Sequence, residues 1–571
     1  MGYKASFRHI LIVLLFLFVS LQSALGGTIY VDANATGANN GSSWGNAYIY
    51  LQDALAAAIS GDNIWVAQGT YKPDHGAGVT IGDRNAEFGL KAGVAMYGGF
   101  PSGGGTWEQR DSNSYQSILS GDLNGDDEPN FVNRTENSKI ISSIRWRTGL
   151  TTLDGFTIRG AYNLQATDVY NGLALYNGSA GGGQMIISNC KFLDNKGIGI
   201  YLKHPDDTGT EKIVGTLTGF EITNCVFQNN SGRYVIFMRG CSPIFKKCIF
   251  KQNTGSAIRC ESFQAWPNNK VYSNPKFINV AFIGNLAPSG GAIYIQGECT
   301  SLFVNCVLVA NSALSGGYGC GGAVNDSGMS GGGRSTYINC IIAGNRCEWL
   351  GGAFNNSTGT PTDLTNCIIW GNGAEDLFGW DGDTGKFTLR SCCISDGDPN
   401  GTYIPPIAVK AAYNCIDYNP RFVRDPNDGG DGWGVGDNDD FGDLHLQHTS
   451  PCIDTADNAL VPQDSNDLDN DGNTTEPIPY DLDGHPRIVD GDCNSTQIVD
   501  MGAYEFAYLY LGDFAGGCNV DFIDFAVLAS AWLTEEGQAG YDSNCDIALP
   551  SDGKIDMKDL QVFTENWLLG K

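Results

Sequence analysis

The residues of this chain best equipped for chemistry are carboxylates at loop spacing. Asp467-Leu468-Asp469-Asn470-Asp471-Gly472 has the Asp-x-Asp-x-Asp-Gly form in which alternate carboxylates face one calcium ion and Gly makes the sharp turn. Position 12 of that loop is Ile478, with Glu476 two residues early. A second acidic set near the end of the chain is duplicated at a constant offset: Asp521/Asp556, Asp524/Asp559, Leu528/Phe563 and Trp532/Trp567. With Asp524 and Asp559 as the last ligands of two loops, Asp521 and Asp556 take position 9, and Asp513 takes position 1 of the first. Asp552 and Gly553 then take positions 5 and 6 of the second loop. Its position 1 is Ala548, so Asp546 must substitute through a short insertion, while positions 5 and 6 of the first loop are Gly517 and Cys518. Calcium wants six to eight oxygens, and clustered carboxylates repel one another without it. Metal binding and folding are therefore expected to be coupled.

A second set carries bases and aromatic rings. Tyr201/Lys203, Phe237/Arg239, Arg259/Glu261 and Tyr294/Gln296 occupy alternate positions of short strands, which predicts one outward face. Aromatic rings stack on sugar faces, and Lys or Arg can neutralise a uronate and abstract its α-proton. Lys203, Arg239, Arg259 and Glu261 are the catalytic candidates on this reading, with Tyr201, Phe237 and Tyr294 as substrate-binding residues. An ordinary solvated face with cross-strand pairs is the other reading. No Ser-His-Asp, His-Glu-x-x-His or Cys/His zinc signature stands out, and the six His form no pattern.

A repeat must position these strands. Asn189-Cys190-Lys191-Phe192-Leu193-Asp194-Asn195 and Asn224-Cys225-Val226-Phe227-Gln228-Asn229-Asn230 share Cys, an apolar residue two later and Asn five later. The pattern recurs at Cys248/Phe250/Asn253, Cys306/Leu308/Asn311, Cys340/Ile342/Asn345 and Cys367/Ile369/Asn372, with Val280 replacing Cys before Phe282 and Asn285. A second short strand follows each Asn, as in Gly199-Ile200-Tyr201-Leu202 and Ala292-Ile293-Tyr294-Ile295. Strands this short, repeated about every 30 residues, cannot bury their faces alone and are predicted to stack coil on coil. Equivalent side chains then form columns spaced by about 4.8 Å. Cys becomes a small inward hydrophobe, and each turn Asn can bond the next. Both are scaffold on this reading, without disulfides inside the Cys column, where the Cβ vectors run parallel. Leu51, Ala54, Leu55 and Ala58 lie at helical spacing and predict a helix capping the first coil.

Composition narrows the setting. Lys4 and Arg8 precede an apolar run from Ile10 to Val19, and Ala24-Leu25-Gly26 gives a small-x-small site, so residues 1–26 read as a signal peptide. Ten apolar residues are too few to span a bilayer, and no later stretch is long enough, so no membrane span is expected after cleavage. The 63 acidic against 34 basic residues argue against nucleic acid as partner and suit bound cations on an exported protein. Eighteen Cys in 571 residues are too sparse for a disulfide scaffold.

Ile29-Tyr30-Val31-Asp32, the Gly61-Asp62 to Gly69-Thr70-Tyr71 stretch and the Cys/Asn repeats resemble bacterial secreted right-handed parallel β-helix proteins. That family includes polysaccharide lyases and hydrolases. Asp417-Tyr418-Asn419-Pro420, Ser450-Pro451-Cys452-Ile453-Asp454, Tyr480 to Arg487 and Asp500-Met501-Gly502-Ala503-Tyr504-Glu505 resemble the terminal segment of the same proteins. The resemblance implies an all-β right-handed parallel β-helix over 27–424, an acidic terminal segment of that helix with a calcium loop over 425–506, and one solenoid through residue 506. Residues 507–571 resemble a dockerin, a small α-helical, EF-hand-like module that binds cohesin domains and calcium. Within that module Cys518 and Cys545 could form its one disulfide. The expected setting is secreted or cell-surface, and the expected partners are a polysaccharide and a cohesin-like domain. Two functions stay open: an enzyme, lyase or hydrolase, acting on an acidic polysaccharide, and a non-catalytic carbohydrate-binding, structural or adhesive surface protein.

Overall fold

The computed structural model describes residues 26–145, 149–162, 173–178, 184–204, 219–265, 269–314, 320–327, 334–357, 362–373, 375–379, 386–395, 409–507, 511–515, 518–548 and 551–568. The leader expected at 1–26 lies outside them except for its last residue, as does Gly517. Three long parallel sheets run the length of the main body. One coil passes through all three: Gln184–Ser188 in the first sheet, Lys191–Leu193 in the second and Ile198–Lys203 in the third. Each strand pairs in parallel with its equivalent on the neighbouring coil, so Phe192 meets Phe227, and Ile200 meets Ile236. The chain is a parallel β-helix. Helix α1 (Leu51–Ala57) packs on the first coil, burying Leu51, Ala54, Leu55 and the following Ala58, the four residues that helical spacing singled out.

The repeat residues stand in columns inside the core. Cys190, Cys225, Cys248, Cys306, Cys340 and Cys367 are at most 1 % exposed, and all are free thiols. Burial pushes the thiols of Cys225, Cys340 and Cys367 far above their ordinary range, so they stay protonated and serve as packing. Beside them run two stacks of rings: Phe192, Phe227, Phe250 and Phe282 at 4.6–5.0 Å, and Phe245, Phe277, Phe303 and Tyr337 at 4.4–4.8 Å.

The turns explain the two Asn positions. Asn189, Asn224, Asn279, Asn305, Asn339 and Asn366, each one residue before the inward Cys or Val, have φ of 51–55°. Asn tolerates this left-handed conformation better than other non-Gly residues. The second Asn builds a continuous ladder. The backbone N–H and Nδ2 of Asn253 donate to Oδ1 of Asn285 at 3.2 and 2.8 Å, and those of Asn285 donate to Oδ1 of Asn311 at 3.0 and 2.9 Å. Asn285 Nδ2 also donates to the carbonyl of Phe250, one coil back, at 2.9 Å. The chain of bonds runs from Asn195 to Asn372, which donates to the buried carboxylate of Asp376 at 2.8 Å.

The coils end at Val409–Tyr413, well short of residue 506. Residues 425–506, expected as the last part of the solenoid, add no further coil. After an antiparallel pair (Phe422–Arg424 with Asp443–Leu446), the chain turns back along the outside of the second sheet. Phe422, Trp433, Leu446, Ile453, Met501 and Ala503 bury the outward Val307, Val309, Ile341, Ala343 and Ile368. Turn Asn residues hold the segment in place: Asn305 donates to the carbonyl of Tyr480 at 2.8 Å, and Asn366 exchanges two 3.1 Å bonds with the backbone of Asp457. The signal for this cover was present in the strands. Val307-Leu308-Val309, Ile341-Ile342-Ala343 and Ile368-Ile369-Trp370 are apolar on both faces, unlike Lys191-Phe192-Leu193 or Ile249-Phe250-Lys251, which carry Lys outward.

The ladder makes a stability prediction. Asn285→Ala removes two donated bonds and one acceptor, and strands the N–H of Asn253 and one hydrogen of its Nδ2 in the interior. Each orphaned group costs about 1–3 kcal/mol, so the variant should lose roughly 3 kcal/mol or more in denaturant unfolding. A loss under about 1 kcal/mol would show that the ladder is dispensable.

Candidate functional site

The alternation argument for the third sheet rests on pairing, and the pairing is as expected. Tyr201, Phe237, Arg259 and Tyr294 are in register on four successive strands, and so are Lys203, Arg239, Glu261 and Gln296. Both rows face away from the core. Exposure differs from the expectation. Tyr201 is 0 % and Phe237 4 % exposed, their rings stacked 5.0 Å apart in a satellite cluster with Ile198 and Tyr234. These two aromatics are covered and cannot offer a face to a sugar. Alternation along the strand determines which way these side chains point, and packing with Ile198 and Tyr234 determines that they are buried.

Arg259 is also withdrawn from solvent, at 5 % exposure. Its guanidinium lies 4.0 Å from the ring centre of Tyr294 and 5.2 Å from that of Tyr234. Its Nε donates to Glu261 Oε1 at 3.0 Å, and its Nη2 donates to Gln296. Arg239 approaches the other oxygen of Glu261 at 3.5 Å and sits over the ring of Phe263. Glu261 therefore contacts two arginines at once, one through each carboxylate oxygen. The free base and free acid expected at Arg259 and Glu261 are instead one ion network. Lys203, Arg239, Glu261, Tyr294 and Gln296 remain half-buried and reach the surface, so the second row is the accessible one.

The acidic loop at 467–472 folds as its sequence suggests. Asp467 Oδ1 accepts the N–H of Gly472 at 3.1 Å, closing the turn. The carboxylates of Asp467, Asp469 and Asp471 lie within 4.8 Å of one another, as do those of Asp464, Asp469 and Glu476. Glu476 joins the loop although it stands two residues early. Asp464, absent from the sequence expectation, enters because its Oδ2 accepts the N–H of Leu468 at 2.6 Å and folds the loop back on it.

The C-terminal duplication is equally regular. Helices α2 (Phe522–Ser530) and α3 (Met557–Glu565) are capped by Asp521 and Asp556, and Asp524 and Asp559 complete the two capping boxes. The units clasp each other through matching bonds, Leu533 N–H to Ile555 O and Leu568 N–H to Val520 O, both 2.9 Å. Asp524 and Asp559 also accept the N–H of Ala515 and Ala548. Asp546 accepts the N–H of Gly553 at 2.8 Å, the bond expected of a first-position ligand, and its Oδ1 is buried without a donor. Asp513, Asp524, Asp546 and Asp559 are at most 9 % exposed, which suits a cation-binding set, whereas Asp552 pairs outward with Lys558 at 2.5 Å. Among the described residues, no three carboxylates of the module come within 4.8 Å of one another. The disulfide differs from the expectation. Cys518 is bonded to Cys493, in the segment before the module, and Cys545 is a buried free thiol in the module's own core.

Two features escaped the sequence. Arg487 is 1 % exposed, 3.2 Å from Glu505 Oε1, and donates to Gly502 O at 2.6 Å, so the Tyr480–Arg487 and Asp500–Glu505 motifs are one buried network. His445 bonds Asp443 and Asp483 at 2.6 Å each. Burial opposes its charged form, but the two carboxylates prevail and raise its pKa. Asp483 comes from 38 residues away, beyond any local pattern.

A family model described as right handed beta helix region matches residues 144–329. No curated protein matches the chain. Among solved structures, pectate lyase Pel9A is 14 % identical over 85 % of this chain and 97 % of its own, with a TM-score of 0.36. Pectin methylesterase from Aspergillus niger is 16 % identical over 59 % of this chain and 87 % of its own (TM-score 0.28). PfbA, a surface adhesin of Streptococcus pneumoniae, is 12 % identical over 64 % and 74 % (TM-score 0.20).

The Arg259–Glu261 network predicts that Glu261→Gln is a stability variant. It leaves a buried guanidinium without its counter-ion, and breaking such a pair costs about 3–5 kcal/mol when fully buried. Glu261 retains 20 % side-chain exposure, so a loss of about 2 kcal/mol is expected in denaturant unfolding. An unchanged midpoint would return Glu261 to the pool of free acids.

Proposed function

We propose that this is a secreted, carbohydrate-binding β-helix protein that holds an acidic polysaccharide along the outer edge of its third sheet and is attached to a partner by its C-terminal module. The observation that carries the reading is the accessible row Lys203, Arg239, Glu261 and Gln296, one residue per coil and in register. Coils advance by about 4.8 Å, so the row presents polar groups at a spacing an extended glycan can follow. Lys203 and the outer edge of Arg239 would meet the carboxylates, while Gln296 and the hydroxyl of Tyr294 would meet sugar hydroxyls. Burial of Tyr201 and Phe237 and the pairing of Arg259 with Glu261 favour the non-catalytic form of this reading over a lyase or hydrolase.

The module reading rests on its duplicated, capped helices and on an apolar surface. Phe522, Ile523, Leu533 and Met557 are 66–77 % exposed, Phe522 and Met557 at equivalent positions of the two units, and such side chains suit a docking face for a cohesin-like domain. Calcium would be held by Asp513, Asp521, Asp524, Asp546, Asp556 and Asp559 in the module, and by Asp467, Asp469 and Asp471 in the earlier loop. When bound, calcium supplies the positive charge that lets these carboxylates approach. No helix among the described residues is long and apolar enough to cross a membrane.

Two measurements test this reading. Arg239→Ala and Lys203→Ala should each weaken binding to pectic, alginate or sulfated polysaccharide by roughly tenfold, the worth of one charge-assisted contact. Product assays for unsaturated or reducing ends should stay at background. Parent-like affinity in both variants would remove the row as the binding site, and product release would favour the enzyme. Separately, calcium at 100 times its dissociation constant should add about 2.7 kcal/mol to the module's stability, an effect that Asp524→Ala with Asp559→Ala abolishes. Identical melting in calcium and chelator would remove the metal.

A further inference from the structure

A carboxylate group lies outside every loop considered so far. Asp454, Asp490 and Asp492 each bring a carboxylate oxygen within 4.8 Å of the other two. They come from separate turns, one ending the Ser450–Asp454 stretch that packs on the second sheet and one bracketing Gly491. Asp454 is 8 % exposed and fixed from two directions. Its N–H donates to Asp500 Oδ1 at 2.8 Å, and its Oδ2 accepts the N–H of Asp492 at 2.6 Å. Its Oδ1 is buried and accepts no hydrogen bond at all. Leaving a buried carboxylate oxygen without a donor, beside two further carboxylates, is costly on both counts.

Backbone packing brings the two turns together. A Cβ on Gly491 would stand 2.5 Å from the carbonyl of Phe506, so only glycine lets this turn come so close. The Asp490 carboxylate, half-buried, accepts the N–H of Asn494 and Ser495 at 3.0 and 2.8 Å, which fixes its orientation, while Asp492 is exposed. The arrangement offers three oxygen ligands on one side and solvent on the other, the donor set a hard divalent cation completes with water.

We propose that Asp454, Asp490 and Asp492 bind a calcium-sized divalent cation, a site distinct from the 467–472 loop and from those of the C-terminal module. The next residue, Cys493, is disulfide-bonded to Cys518, just before helix α2. The ion fixes the 490–495 turn from the solenoid side, the disulfide ties it to the module, and together they brace the connection between the two. The proposal does not depend on the glycan reading.

The test uses the full chain, stripped with chelator and re-equilibrated with calcium. Asp492→Asn and Asp490→Asn change exposed or half-exposed carboxylates and keep one of the two oxygens that accept local N–H groups, and Asp471→Asn is the control at the earlier loop. Each of the first two should lose one bound calcium per chain by equilibrium dialysis. Each should also lose the calcium-dependent hydrogen-exchange protection of residues 488–496, leaving that of residues 464–476 and 546–559 as in the parent. Asp471→Asn should show the converse for 464–476 and 488–496. The proposal is overturned if the parent's 488–496 amides exchange equally with calcium and with chelator, or if both variants bind as many ions as the parent.

Discussion

A coil of this solenoid cannot satisfy its own backbone. The strands are two to nine residues long, the turns between them hold left-handed residues, and donors at those turns find partners on the next coil. The Asn195–Asn372 ladder is where this dependence is most concentrated, because each side chain bonds the coil before it and the coil after it. In a dry interior an unmade hydrogen bond costs more than a made one returns. The ladder therefore imposes one register on the stack, and a slip of a single residue would orphan a donor and acceptor in every coil.

Register then determines what the surface can be. Residues two and four after Gly199, Val235, Ala257 and Ala292 line up in two rows because their inward neighbours Ile200, Ile236, Ile258 and Ile293 are locked together. The inner row is consumed by packing, with Tyr201 on Phe237 and Arg259 between tyrosine rings. The outer row meets solvent. The same register gives the second sheet its run of outward apolar residues, and these must be covered. The terminal segment is that cover, held by the turn asparagines of the coils it crosses. Its acidic turns are thereby fixed against a rigid wall, which brings Asp454 within reach of Asp490 and Asp492.

What was legible in the sequence follows from how local each cause is. The Cys, Phe and Asn columns were readable because a repeat states the same local solution many times, and Leu51, Ala54, Leu55 and Ala58 announced the cap by spacing alone. The direction of Tyr201, Phe237 and Arg259 was readable from alternation, but their burial was not, since it depends on packing against rings and side chains such as Ile198, Tyr234 and Tyr294. The end of the solenoid was misplaced for a related reason. The terminal segment carries motifs such as Ser450–Asp454 and Tyr480–Arg487 whose partners, Asp500 for Asp454 and Glu505 for Arg487, are distant in sequence. The Cys493–Cys518 bond has the same character. It crosses the boundary that the helical periodicity drew, whereas the expected Cys518–Cys545 pair lay within it.

The central claim is that coil-to-coil register presents Lys203, Arg239, Glu261 and Gln296 as one accessible row for an acidic glycan. A crystal structure of the calcium-loaded chain with a bound uronate oligosaccharide tests it most directly. The account predicts sugar density along the third sheet's edge, with carboxylates within about 3 Å of Lys203 Nζ and the Arg239 guanidinium, and no ring stacked on Tyr201 or Phe237. Density elsewhere on the molecule, or Tyr201 and Phe237 uncovered beneath a sugar ring, would contradict it.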